Sequence, residues 1–272
     1  DAAQDSPFIG EEGTIFNLMA AQGQTVVAAT GDDGTTDCYR ATDPPSNELS
    51  VDDPASQPTV LGVGGTAMKG LSNPPQSVWN SVQTDSEGNH YYGAGGGGVS
   101  VVQGQPSFQQ GVAGSGYAAH CTLGAGGCRQ VPDVSALADP SEGYVIDEYD
   151  SDLGGTAINI IGGTSGAAPT WAAVFALADA STACNGTPAG EVAPALYQAA
   201  ATPARYTVFR DITTGNNGIS AYSAPFAYPA TAGYDLASGW GVPNTTGVIS
   251  AVCGKGLVSA ASYYTPVGQN AV

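Results

Sequence analysis

GGTSGAAPTWAAVFALA, residues 162–178, is the stretch whose reading decides the fold. Two glycines mark a tight turn, and the small and apolar residues that follow, with Pro169 near their start, read as a helix entered through that turn. The run is apolar nearly all round, which predicts a central, buried helix with Pro169 in its first turn and Trp171 and Phe175 in the core. Such a helix needs a sheet to lie against. QTVVAAT at 24–30 is a short β-branched run, so a buried strand, and it ends in the turn Gly31-Asp32-Asp33-Gly34. A helix over 11–22 precedes it, with Ile15, Phe16, Leu18 and Met19 on its apolar side and Gly23 as its stop. A second buried strand at 59–63 ends in Gly64-Gly65-Thr66. Helix, buried strand and glycine turn in succession form the α/β pattern, which predicts a doubly wound, mostly parallel sheet around the central helix. Strands at 144–146 and 157–161, joined by an acidic turn over 147–152, lead into that helix. No repeat or linker divides residues 1–272, so a single domain is expected.

Composition narrows the function. Six Lys and Arg stand against 24 Asp and Glu, a formal charge of −18. A basic face for nucleic acid, or a polybasic membrane contact, cannot be built from so few cations. Charged residues make up 11% of the chain, against roughly 25% in ordinary domains. The 39 glycines and 18 prolines, beside 42% hydrophobic residues, describe a loop-rich globular protein. Acid unfolds proteins partly because cations repel one another once carboxylates neutralise. A chain with six Lys and Arg and two His avoids much of that, which suits an acidic medium.

Five cysteines stand at Cys38, Cys121, Cys128, Cys184 and Cys253, with no CxxC pair or Cys/His cluster of the kind that holds zinc. Low lysine content and scattered cysteines point to a secreted, oxidised protein. Spacing alone leaves several pairings open. The reading adopted closes the short TLGAGG loop with Cys121–Cys128, pairs Cys184 with Cys253 and leaves Cys38 alone. The chain has no leader-like start and no apolar run long enough to span a bilayer, so a soluble, processed product is expected.

Ser165 is the candidate nucleophile. It sits at the N-terminus of the apolar helix, where unpaired N–H groups and the positive end of the helix dipole meet a developing negative charge. A serine there also serves as an ordinary helix cap. The glycine run Gly93-Ala94-Gly95-Gly96-Gly97-Gly98 reads either as a flexible loop or as backbone that a ligand approaches closely. Trp79, Tyr91, Tyr92 and Trp240 fit cleft walls or simple packing, and His90 and His120 lie in polar stretches where solvation is expected.

Several blocks together resemble one family. GTSGAAP looks like the nucleophile motif of subtilisins and of the sedolisins, or serine-carboxyl peptidases. VVAATGDDG at 26–34 resembles the sedolisin segment that supplies an oxyanion-hole Asp, where a subtilisin has Asn. DPASQPTVLGVGGT at 53–66, GAGGGGVS at 93–100, VPDVSALADPSEGY at 131–144, DITTGNNG at 211–218 and AGYDLASGWGVPN at 232–244 follow in the sedolisin order. The resemblance implies a subtilisin-like fold and an acid-acting endopeptidase or tripeptidyl peptidase on peptide or protein substrates. It makes Ser165 the nucleophile, Asp32 a neutral carboxyl donating to the oxyanion, and Gly95, Gly96, Gly97 and Gly98 part of the substrate cleft. It also implies a C-terminal calcium region, in which Ca2+ takes side-chain oxygens of Asp211 and Asp235 and carbonyls of Ile212, Thr231 and Gly233. The family usually has Gly where Thr231 stands, a departure that leaves a carbonyl ligand intact.

The general base is the gap. Sedolisins use a Glu and an Asp spaced ExxxD on one helix face, further upstream of the oxyanion Asp than residues 1–31 reach. ExxxD recurs here at Glu48/Asp52 and Glu148/Asp152, both read as solvated acidic loops. The expectation is that an N-terminal fragment of the same precursor supplies Glu and Asp, with Cys38 available for a disulfide to it. A non-catalytic binding or assembly protein on the same fold, and a subtilase fragment, are the competing readings.

Overall fold

The computed structural model describes residues 7–70, 75–150 and 154–254. Helix α1 (Pro7–Ala21) leads to the short strand β1 (Val26–Ala29), and β2 (Val60–Met68) forms the middle of a four-stranded sheet. β3 (Gln76–Val78) folds back against the end of β2, and β4 (Asn80–Thr84) and β5 (His90–Ala94) make a hairpin. β6 (Gly98–Gly104) pairs with β7 (Cys128–Val131), with the single turn α2 (Tyr117–His120) between them. β8 (Val134–Leu137) completes the central sheet, and the hairpin of β9 (Tyr144–Asp150) and β10 (Gly155–Ile161) leads into the long helix α3 (Thr164–Ala180). The rest is α4 (Ala193–Ala200), α5 (Arg205–Val208), the ladder of β11 (Phe209–Arg210) with β12 (Val242–Pro243), and α6 (Thr245–Cys253).

The parallel core is smaller than the sequence pattern suggests. β1 runs parallel to β2 with Val26 opposite Val60, and β8 runs parallel to it with Val63 opposite Val134. The remaining described ladders, and the β2–β3 pairing, are antiparallel. The structure is therefore a mixed α/β fold, with its parallel strands confined to the layer under α3. Residues 60–66 of β2 are all buried, as a strand covered on both faces requires. β2 extends past the expected end at residue 63 because Gly64 and Gly65 let neighbours close over it. A Cβ at Gly65 would lie 2.8 Å from the Ala138 methyl and 2.9 Å from the Trp79 ring.

α3 packs on β8, β1 and β2 through Ala167, Ala168, Trp171, Val174, Phe175 and Ala178, which recur at three- and four-residue spacing. Trp171 is fully buried and its indole N–H donates to the Ser135 carbonyl of β8 at 2.8 Å. The helix is not buried all round. Ala172, Ala173 and Ala176 on its other face are exposed, and Leu177 is 57% exposed. Pro169 stands inside the helix and not in its first turn, because α3 already begins at Thr164. Lacking an N–H, Pro169 leaves the Ser165 carbonyl without its intrahelical partner.

α1 begins earlier than expected and presents Phe8, Ile15 and Leu18 to solvent, while Phe16 and Met19 are half-buried. β1 is half-buried along its length. The acidic stretch Asp147 to Asp150 lies on β9 and not in a turn, with Glu148 accepting from the Asn159 amide at 2.6 Å. Asp152 lies outside the described residues.

Two disulfides form as the sequence reading paired them, Cys121–Cys128 and Cys184–Cys253, and Cys38 is a free, half-buried thiol. A buried polar centre ties the layers together. Asp133, between β7 and β8, accepts the Gly62 N–H of β2 at 2.7 Å and the Tyr197 hydroxyl of α4 at 2.7 Å. Both terminal nitrogens of fully buried Arg129 reach the same carboxylate, at 2.6 and 2.5 Å.

Candidate active site

The site begins where β1 ends. Gly31 has φ +91°, and a Cβ on it would lie 2.0 Å from the Asp37 carboxylate, so the turn admits only glycine. That turn sends the Asp32 side chain to the start of α3. Asp32 Oδ1 accepts the Thr164 N–H at 2.8 Å and lies 2.9 Å from the Thr164 hydroxyl. The same hydroxyl is 3.0 Å from the Gly31 carbonyl. The residue preceding α3, Gly163, provides no side-chain cap, so a carboxyl 132 positions away from Thr164 caps the helix instead. Ser165, the next residue, is exposed at that helix end. Structure thus brings Asp32 and the Ser165 segment together across two elements.

Asp33, one residue on, is engaged elsewhere. Its buried carboxylate pairs with Arg40 Nε at 2.6 Å and accepts the Tyr222 hydroxyl at 3.3 Å. Tyr222 in turn stacks on Tyr39 at 3.8 Å between centroids. Asp37 accepts the Asp33 N–H at 3.2 Å. Burial, and then the charges of Asp52, Asp33 and Asp32, hold its carboxyl well above the usual carboxylate range. Asp52 is half-buried, and burial first, then Asp53 and Asp32, raise its pKa. Asp52 is therefore not the solvated residue its loop position suggested, whereas Glu48 is exposed as expected. The sequence reading missed Asp37 as a neighbour of this turn. Its only signal was proximity to Asp32 in a GDDGTTD run.

Gly95, Gly96 and Gly97 pack against the molecule's own backbone, and Gly93 and Gly98 against the Trp79 and Tyr228 rings. The Gly96 N–H donates to the Gly31 carbonyl at 2.8 Å and the Ala94 N–H to the Asp32 carbonyl at 3.0 Å. A Cβ at Gly96 would lie 1.7 Å from the Thr30 carbonyl oxygen, and one at Gly97 2.3 Å from that of Leu236. Gly95 and Gly98 are buried with them. The segment braces the Asp32 turn, which accounts for its glycines without a ligand. Trp79 and Trp240 are core residues, 3% and 9% exposed, while Tyr91 is 58% exposed and Tyr92 half-buried.

Neither histidine is engaged at Ser165. His90 is exposed with Nδ1 2.9 Å from the Thr84 hydroxyl. His120 is not in a solvated loop as expected: it is half-buried at the end of α2, its ring 5.0 Å from Phe226 and 5.7 Å from Tyr228.

The C-terminal acidic pair occupies one loop cluster. Asp211 Oδ2 accepts the Gly233 N–H at 2.8 Å and Asp235 Oδ2 the Thr231 N–H at 2.9 Å, so both carboxylates hold the same loop. Asp235 Oδ1 accepts from the N–H groups of Ala237 and Ser238 and from the Ser238 hydroxyl. Asp211 Oδ1 is buried with no partner among the described residues. Burial raises Asp211 above the usual range and brings Asp235 to about 6. A buried carboxylate oxygen with no partner, and backbone oxygens of Ile212, Thr231 and Gly233 in the loops that the two carboxylates hold, fit a hard cation. Among the described residues no cluster of three or more His, Cys, Asp or Glu side chains is placed to hold a metal.

The subtilase family model, Peptidase S8, matches residues 4–241. Sedolisin of Pseudomonas sp. (strain 101) is 35% identical over 245 residues, 89% of this chain and 37% of its own. Kumamolisin of Bacillus sp. (strain MN-32) is 38% identical over 232 residues, 84% of this chain and 36% of its own. Tripeptidyl-peptidase 1 of Canis lupus familiaris is 28% identical over 91% of this chain and 40% of its own. The chain therefore spans less than half the length of these relatives. Among solved structures, Pseudomonas sedolisin, a serine-carboxyl proteinase complexed with two molecules of pseudo-iodotyrostatin, superposes with a TM-score of 0.71 at 31% identity, over 92% of this chain and 61% of that one. Fold, motif order and family match agree: this chain belongs to the subtilase family and resembles its sedolisin members.

Proposed function

We propose that this chain carries the nucleophile and the oxyanion acid of an acid-acting serine-carboxyl peptidase, an endopeptidase or tripeptidyl peptidase. The observation that carries this reading is the Asp32 carboxyl seated on the N–H of Thr164, one residue before Ser165. In the proposed reaction Ser165 Oγ attacks the scissile carbonyl while its proton passes to a Glu carboxylate. That Glu and its partner Asp come from a segment of the same precursor outside these residues. The oxyanion takes hydrogen bonds from the Ser165 N–H and from the protonated Asp32 carboxyl. Collapse expels the amine, which takes the proton from Glu, and water then attacks the acyl-enzyme by the same route. Relatives named sedolisin, kumamolisin and tripeptidyl-peptidase support the reading.

The same reading places Gly95 to Gly98, the buried backbone that braces the Asp32 turn, along the substrate cleft. Asp211, Asp235 and the carbonyls of Ile212, Thr231 and Gly233 would hold Ca2+, which would cross-link the C-terminal loops. The protein acts outside the cell, on peptides or proteins. Incubation of the purified protein, with every chain that accompanies it, with a denatured protein and a peptide aldehyde at pH 4 and pH 8 tests the reading. Cleavage and inhibition at pH 4 are expected. No cleavage at either pH would instead favour a binding or assembly protein.

A further inference from the structure

One half-buried carboxyl group, with one oxygen shut off from solvent, lies beside an ion pair that is already balanced. Glu191 stands just before α4. Its Oε1 accepts the Ala193 N–H at 3.2 Å, and its Oε2 is buried with no partner among the described residues. The first turn of α4 has no other side-chain cap, since Val192 precedes it. The charged groups facing Glu191 are Arg129 of β7 and Asp133 of the β7–β8 turn, with Tyr197 and Tyr234 around Asp133. Asp133 takes both terminal nitrogens of Arg129 and the Tyr197 hydroxyl. One guanidinium therefore faces two carboxyls: Asp133 holds its two terminal nitrogens, and its Nε is buried with no partner among the described residues.

We propose that Glu191 is a pH-sensitive latch on α4, uncharged and seated in acid, and forced from its site by ionisation as the medium turns alkaline. An ionised Glu191 would add an unbalanced negative charge to a buried cluster, with one long hydrogen bond to compensate it. Loosening the start of α4 draws on Tyr197, hence on Asp133, which also holds the Gly62 N–H of β2 and borders β8 under α3. The latch thus connects acidity to the sheet that supports the Asp32 turn. Burial, with Asp133 adding to it and both the Ala193 N–H and Arg129 opposing it, pushes the Glu191 carboxyl up to about 8. A carboxyl raised in the folded state stabilises the fold fully below its unfolded value of about 4.5, and this contribution is lost as pH rises through about 8.

The test compares Glu191→Gln with the parent chain by denaturant unfolding from pH 4 to pH 9. Glutamine keeps the acceptor for Ala193 and cannot ionise. Near-equal stability at pH 4 is expected, with the parent's unfolding constant rising relative to the variant's by roughly a hundredfold or more by pH 9. Curves that stay parallel across the whole range would overturn the latch. Should the variant fail to fold, carbon-13 labelling of the glutamate carboxyls in the parent chain decides. One signal titrating above pH 7 is expected, and every glutamate titrating below pH 6 would refute the proposal. Neither readout depends on peptidase activity.

Discussion

At Asp32 one carboxyl holds two positions in the account. It caps α3 through the Thr164 N–H, and in the proposed reaction it donates to the oxyanion. Only truncation removes both. Asp32→Asn keeps an acceptor for Thr164 and an amide N–H to donate to the oxyanion, so it is expected to fold with near-parental stability and to keep kcat within about tenfold. Asp32→Ala removes donor and cap alike and is expected to lose about 10²–10³ in kcat, the cost of one oxyanion donor, and ~1 kcal/mol of stability by urea unfolding. Equal stability of the two variants would show that the cap contributes nothing. Ser165 and Asp32 were legible because each stands in a motif with a fixed neighbour pattern. Asp37, Asp52 and Glu191 were not, because their chemistry arises from burial. Nothing in a GDDGTTD or GEVAP string says which carboxyl faces solvent.

At the scale of elements, local pattern located β1, β2, the β9–β10 hairpin and α3, whose apolar runs and glycine ends stand out. It misjudged how they are covered. α3 was expected to be buried all round because alanine and leucine fill both faces, yet composition cannot tell a covered face from an open one. The two faces should respond differently to mutation. Trp171→Ala, which empties a fully buried site, is expected to cost about 3–5 kcal/mol, and Leu177→Ala, at 57% exposure, under about 1 kcal/mol. Denaturant midpoints measure both. Gly96→Ala is a harsher test of the glycine segment, since its methyl would meet the Thr30 carbonyl at 1.7 Å. The added methyl is expected to destabilise by at least about 1–3 kcal/mol and to displace the Asp32 turn. A variant as stable as the parent would remove the bracing role given to these glycines.

For the whole molecule, a formal charge of −18 built from few cations is a property of the surface, and Glu191 gives the same preference for acid a buried origin. The charge balance was readable from composition; the buried contribution required the layers to be assembled. Calcium belongs to this scale too, because it would join segments distant in sequence. Chelation is expected to lower the melting temperature by several degrees at pH 6. Asp211→Ala is expected to lower it alike and to make the chelator ineffective. An unchanged melting temperature on chelation would argue against the site.

The account's central claim is that Ser165 is the attacking group of an acid peptidase, and an active-serine reagent followed by peptide mass spectrometry tests it most directly. The protein, purified with any chain that accompanies it, is labelled at pH 4 while cleavage of a denatured substrate is followed. The account predicts label on the peptide containing Ser165, with label and cleavage both lost in Ser165→Ala. Cleavage that survives Ser165→Ala, or label confined to another residue, would contradict it.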